Sequence, residues 1–364
     1  MQRTRFIILG GYLGAGKTTL ALALAKQLKE RHGKSVAVIT NDQGNALVDT
    51  AYMKDSGVDV REVLGGCFCS HFDEFIKSAR SLVNMGRPDI IIAEPIGTST
   101  NILASVVVPL REMYPEEFEV APLFIVVDSS KAMETMAQKS SFGLGGGRMI
   151  PSHQVHEAEV VLLTKVDKVD GDILDMAKGI VQSEVPEATV MAVSAKAGTG
   201  LSEVVDMVLS ERTSSKAALG VDNRLFSTEK ATMGWYSGTA DLDAKGKVDL
   251  YDLSMRVMRV VGDTYGGERI GHVKLVLESS SASLKMSLVG DSAQIDGIKG
   301  GRYAEGRCSA ILNARVMAPP SDIRKVMEKA LRSSIEETGA TIAVYADSAI
   351  EPIPENPVHF RSGQ

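Results

Sequence analysis

Cysteine is scarce: the 364 residues hold three, at positions 67, 69 and 308. An odd number of thiols spread over so long a chain does not make a disulfide framework. That excludes a small bridge-stapled secreted scaffold and points to a compartment that keeps thiols reduced, so a cytoplasmic protein is expected. Long apolar runs are also missing, and none approaches the ~20 residues that cross a bilayer, so no membrane partner is expected. Arg3 and Arg5 precede an apolar stretch, but glycines break it and it ends at Lys17, which is not the pattern of a signal peptide. Basic excess is absent too, with 40 Lys and Arg against 46 Asp and Glu and a net charge of -6. A broad nucleic-acid surface would need clustered excess cations, so no nucleic-acid partner is expected. No internal repeat is visible.

What is present is alternation. Apolar-rich runs at 5–11, 34–40, 88–94, 121–128, 158–165 and 188–195 each end in a polar or glycine residue. Helical patterns such as 18–31 and 201–212 lie between them. Buried strands alternating with helices predict an open, mostly parallel α/β sheet covered on both faces, with ligands at the carboxyl ends of the strands. Residues 139–152, rich in glycine and serine, read as a loop. The length suggests two or three domains. Residues 1–212 form the first, 213–233 a linker, 234–350 a smaller α+β domain with alternating strands and two helices, and 351–364 a proline-studded extended tail.

Gly11–Thr18, GYLGAGKT, fits the phosphate-loop pattern directly after a strand and before a helix. The backbone around Gly14, Ala15 and Gly16 curls about phosphate oxygens, and the helix start at Thr18 and Thr19 adds its dipole. Lys17 reaches the β- and γ-phosphates, and Thr18 binds Mg²⁺. A second stretch names the base. In TKVD (164–167) a carboxylate at Asp167 accepts from both N1–H and the exocyclic amine of guanine, a donor pair that adenine lacks. Lys165 lays its stem along the ring. Thr164 stands where asparagine is usual. Ser194, Ala195 and Lys196 follow at a later strand end, with a backbone N–H near Ala195 for guanine O6. GTP or GDP with Mg²⁺ is therefore expected. AEPIGTST (93–100) adds Glu94, to hold Mg²⁺ or orient water, and Gly97, whose N–H senses the γ-phosphate. A merely solvated strand-end carboxylate is the other reading of Glu94.

GGYLGAGKTTL, NDQGN (41–45), GGCFCS, AEPIG, TKVD and SAK, in this order over residues 5 to 210, closely resemble the CobW-type P-loop GTPases, relatives of the GTPases that insert nickel into urease and hydrogenase. The resemblance implies slow GTP hydrolysis coupled to delivery of a transition metal, or to cobalt–corrinoid metabolism. It implies a nucleotide-sensing switch at Asn41, Asp42 and Gly44, and metal binding by the cysteine motif. Two departures stand out: Ser70 occupies the place of a third cysteine, and Asn45 that of an acidic residue. A histidine-rich storage tract, common in some relatives, is absent.

Cys67 and Cys69 are two apart, so in an extended segment both thiols share a face. Two thiolates suit Zn²⁺, Co²⁺ or Ni²⁺, and His71 is the nearest further donor, with Asp42 or a second protomer as other sources. A pair of buried small side chains is the competing reading; a strained vicinal disulfide is a third. Cys308 reads as core, and His153 and His156 as a solvated helix start. In the expected mechanism Glu94 and Asp42 surround Mg²⁺ and the attacking water, and switch movement makes or breaks the metal shell. Expected partners are GTP, a metal ion, a client metalloenzyme or corrinoid protein, and a homodimer mate. A GTPase gating a corrinoid enzyme, a small-molecule kinase and a non-catalytic binding module are the alternatives.

Overall fold

The computed structural model of the chain describes residues 3–42, 59–64, 67–137, 149–219, 224–352 and 357–360. These fall into two compact units. Described residues up to Glu229, together with 357–360, build the first, and residues 230–352 the second.

The first unit is an eight-stranded sheet of β1 (Thr4–Gly11), β2 (Val36–Asp42), β3 (Asp59–Leu64), β4 (Ile90–Glu94), β5 (Phe118–Val120), β6 (Phe124–Asp128), β7 (Val160–Thr164) and β8 (Thr189–Ala192). The order is β3-β2-β4-β1-β6-β7-β8 with β5 beside β1, and every pairing is parallel. Its helices are α1 (Lys17–His32), α2 (Phe72–Gly86), α3 (Val108–Met113, entered through a π-turn at Leu103–Val107), α4 (Ala132–Ala137), α5 (Met149–Glu157), α6 (Gly171–Glu184), α7 (Leu201–Leu209) and α8 (Arg224–Ala231). Strand alternation divides β1 between two cores. Ile7 and Leu9 pack with Leu20, Leu24 and Leu28 of α1 and Val204 and Val208 of α7. Phe6 points the other way, its ring edge-on to Phe75 of α2 at 5.5 Å and to Phe118 at 5.2 Å. Both faces are thus covered, as continuous apolar strands require.

The sheet was expected, but two of its strands were not. β3, DVREVL, is an edge strand with charged residues at 59, 61 and 62, and β5 has only three residues. Residues 213–216, assigned above to a linker, are bonded into the first unit. Ser214 N donates to Val120 O at 2.9 Å, Ser215 N to Glu159 Oε1 at 2.8 Å, and Lys216 Nζ to the carbonyls of His156 and Ala158. The same range also contains α8.

The second unit is a six-stranded antiparallel sheet in the order β12-β11-β10-β13-β9-β14. The strands are β9 (Gly234–Asp249), β10 (Ile270–Ser279), β11 (Ala282–Val289), β12 (Ser292–Gly300), β13 (Tyr303–Val316) and β14 (Ala340–Ile350). Helices α9 (Leu250–Tyr265) and α10 (Pro320–Glu336) supply Leu253, Val257 and Val261, and Ile323, Met327 and Leu331, to a core with Leu275, Leu277, Met286 and Leu312. Asp249 caps α9, accepting from Tyr251 N and Asp252 N. Cys308 lies in this core, where burial pushes its thiol up to about 11, the state of an inert packing residue. No helix among the described residues is long and apolar enough to cross a membrane.

Candidate functional site

Parallel register brings the strand ends together. Gly11 pairs with Val126, Thr40 with Glu94, and Asp128 with Thr164, so the chain leaves β1, β2, β4, β6 and β7 along one edge. The phosphate loop springs from this edge. Gly11, Gly14 and Gly16 have φ of 136°, 75° and 95°, a region that L side chains avoid. A Cβ at Gly11 would also meet the Val126 carbonyl oxygen at 2.4 Å. Gly11→Ala is expected to cost about 2 kcal/mol or more, read as a lowered urea midpoint at unchanged slope.

Lys17 and Thr18 begin α1, both buried. Lys17 Nζ donates to Gly11 O at 2.9 Å and Tyr12 O at 3.3 Å, which holds the ammonium across the loop. Thr18 Oγ1 donates to Glu94 Oε1 at 2.9 Å, so the hydroxyl and carboxylate expected around Mg²⁺ are adjacent. Thr19 follows on the same helix, half-buried. Gly97 touches the phosphate loop: a Cβ there would stand 2.5 Å from Leu13 Cδ2 and 3.0 Å from Leu13 N. Asp42 closes β2, but its side chain, with all of Gln43, Gly44 and Asn45, lies outside the described residues.

The TKVD segment docks on the same loop. Thr164 Oγ1 donates to Ala15 O at 2.6 Å, with Val127 O at 3.2 Å. A hydroxyl in asparagine's place therefore still ties β7 to the phosphate loop. Lys165, at φ 58°, sends Nζ to Gly14 O and to Asp128 Oδ2, each at 2.7 Å. Burial pushes the Asp128 carboxyl up, and the Lys165 charge together with the hydrogen bonds from Lys165 and Ser130 more than offsets this, leaving it below the usual range. Asp167 Oδ1 accepts from Ser194 Oγ at 2.5 Å, and Ala197 N donates to that same hydroxyl at 3.0 Å. The segments 164–167 and 194–196, expected to read the base, are thus joined through one serine. Lys168 beside them is held below its usual range by burial and by the charges of Lys165 and Lys196.

The thiol loop departs from the extended form. Ser70 N and His71 N both donate to Cys67 O, at 3.1 and 2.9 Å, so Cys67–His71 is a turn leading into α2. Cys67 and Cys69 are 0% and 1% exposed, and Phe68 between them stacks on Phe75 at 4.3 Å. The loop is tied on three sides. Phe68 N donates to Asn41 Oδ1 at 3.0 Å, and Cys67 Sγ lies 2.8 Å from Ser99 Oγ. Val358 N of the tail donates to Cys69 O at 2.8 Å, with the His359 ring edge-on to Phe72 at 5.0 Å. Neither cysteine is in a disulfide. His71 turns Nδ1 to Ser70 Oγ at 3.1 Å, and among the described residues no three His, Cys, Asp or Glu side chains form a metal-holding group.

Helix α5 joins the site, although its His153 and His156 read in sequence as a solvated helix start. Gln154, His153 and Glu157 grip the loop after β4, and burial pushes Glu157 up to about 7 against the hydrogen bond from Leu103 N. His153, expected in solvent, is largely buried. Nothing in PSHQVHEAE sets these three apart from an ordinary amphipathic helix, because their partners lie more than fifty residues away.

The chain is 30% identical over 166 residues to the zinc chaperone YjiA of Escherichia coli (strain K12), covering 44% of this chain and 48% of that one. It is 28% identical over 210 residues to the zinc chaperone CobW of Pseudomonas aeruginosa, covering 50% and 54%. The chain thus spans about half the length of these curated relatives. Among solved structures, the Zn(II)-bound YjiA GTPase from E. coli covers 90% of this chain at 17% identity and a TM-score of 0.37. The family model described as "CobW/HypB/UreG, nucleotide-binding domain" matches residues 5–192, the span that carries the phosphate loop, the thiol loop and the TKVD segment. The chain belongs to that family.

Proposed function

We propose that the first unit binds and slowly hydrolyses GTP, and that nucleotide state sets the affinity of the Cys67–Cys69 loop for a transition metal that the protein delivers to a client. The thiol loop carries this reading: Cys67 Sγ lies 2.8 Å from Ser99 Oγ, two residues beyond the Gly97 that borders the phosphate loop. A shift of Gly97 toward a γ-phosphate is passed to the thiol through one turn of backbone. Asn41, at the start of the switch segment, holds the other side of the loop through Phe68 N.

The adjacent Thr18 hydroxyl and Glu94 carboxylate, both buried beside the phosphate loop, fit a hard divalent cation such as Mg²⁺. Asp167, steadied by Ser194, suits guanine. The metal is cargo, and two thiols leave its shell open to a donor from a client or a second protomer, which favours transfer over storage. Zinc is the first metal to test, since the matched relatives are zinc chaperones. Slow turnover is expected, since the sequence stretches 11–18, 41–45 and 93–100 contain no arginine to act as a finger.

Zinc titration of the purified chain with GDP and with a non-hydrolysable GTP analogue is expected to give affinities that differ by about tenfold or more. Equal zinc affinities in the two states would remove the coupling and leave a GTPase with buried thiols.

A further inference from the structure

The loop between β4 and the π-turn is buried at every residue from Pro95 to Asn101, yet it belongs to no helix or strand. Its conformation is held from α5. Gln154 Nε2 donates to Ser99 O at 2.7 Å and Gly97 O at 3.1 Å. Two carbonyl acceptors identify the nitrogen end of this amide, because the flipped side chain would set oxygen against oxygen. The –NH₂ group has one hydrogen for each carbonyl, so both bonds form at once. Gln154 is 1% exposed, which shields these donors from bulk solvent. Glu157 and His153 fix the far end of the loop, at Leu103 N and at Asn101 Oδ1.

We propose that Gln154 is a positioning residue that locks Gly97 and Ser99 into one rigid piece, so that a γ-phosphate met by Gly97 is transmitted to Cys67 through Ser99. This rests on the function proposed above. His153 and Glu157 anchor the loop beyond Ser99 and so hold its end in place. Gln154 spans the two residues that matter, one against Leu13 of the phosphate loop and one against the thiol. GDP, which has no third phosphate, would be gripped by the phosphate loop and the base-reading segments, whereas the Gln154 amide bonds to Gly97 and Ser99.

Gln154→Met keeps the volume and removes both donors. Affinity for GDP is expected to stay within about twofold of wild type, while affinity for a non-hydrolysable GTP analogue falls roughly tenfold. The zinc-affinity difference between the two nucleotide states should shrink toward unity. Gln154→Glu, of the same shape but with oxygen facing both carbonyls, should lose at least as much. A general loosening of the fold would lower both nucleotide affinities together, so the ratio between them is the diagnostic quantity. If wild type distinguishes the analogue from GDP and both variants do so equally well, this inference is wrong while the proposed function stands. If wild type binds neither nucleotide, both fail.

Discussion

Lys17→Ala lowers GTP affinity by at least about a hundredfold while the chain remains folded. The expectation follows from where the ammonium sits and what else is near. Lys17 is 7% exposed, and its Nζ is carried across the phosphate loop by the Gly11 and Tyr12 carbonyls. Backbone amides and the start of α1 supply partial positive charge to a polyphosphate, but Lys17 brings a full charge among the residues of the loop. Charge-assisted hydrogen bonds contribute about 1.5–3 kcal/mol each, so losing contacts to both β- and γ-phosphates removes roughly 3 kcal/mol, about two decades of affinity. Stability should change little. The substitution deletes two hydrogen bonds to carbonyls but also deletes a buried charge with its desolvation cost, and the two effects oppose each other. Titration calorimetry with GTP and thermal denaturation of the same samples check both halves. Unchanged GTP affinity in a folded variant would show that the loop does not hold the triphosphate.

Much of this site was legible because its chemistry is local. A phosphate loop is one strand end, one turn and one helix start, so GYLGAGKT in that context put Lys17 and Thr18 at a helix start, where the structure has them. Pairing Glu94 with Thr18 needed only the rule that ligands gather where parallel strands end. The thiol loop was less legible. The two-residue spacing implies a shared face only in extended backbone, and here the Ser70 and His71 amides fold back on Cys67 O. What decides that turn is tertiary: the Asn41 amide takes Phe68 N, and Phe75 takes the Phe68 ring. Gln154 and the Val358 contact to Cys69 were invisible for the same reason, since each bond joins segments far apart in sequence. Strand β12 has no clear signature in the sequence, because a sheet edge need not bury either face and SAQIDGIKG shows no strong apolar run.

Cys67→Ser combined with Cys69→Ser should lower zinc affinity by at least about a hundredfold without unfolding the chain. Thiolate is the soft, deprotonated ligand that borderline metals select, and a serine hydroxyl neither ionises near neutral pH nor matches that softness. Structural zinc sites are worth about 10–16 kcal/mol over four ligands, roughly 3 kcal/mol for each, so even one lost thiolate costs about two decades. The fold should tolerate the change because serine is nearly isosteric and the new hydroxyl at 67 has Ser99 Oγ as a ready partner. The experiment also separates the two readings of the pair. If these are only small buried side chains, both at or below 1% exposed, the double variant loses a little stability and no zinc affinity. Cys308→Ser supplies the internal control, since that thiol lies in the core of the second unit and its loss should leave zinc binding untouched. A fall in affinity confined to 67 and 69, and larger with the GTP analogue than with GDP or the reverse, would tie the metal to the segment that Ser99 and Asn41 hold. An equal fall in both nucleotide states would place the metal there but detach it from the switch.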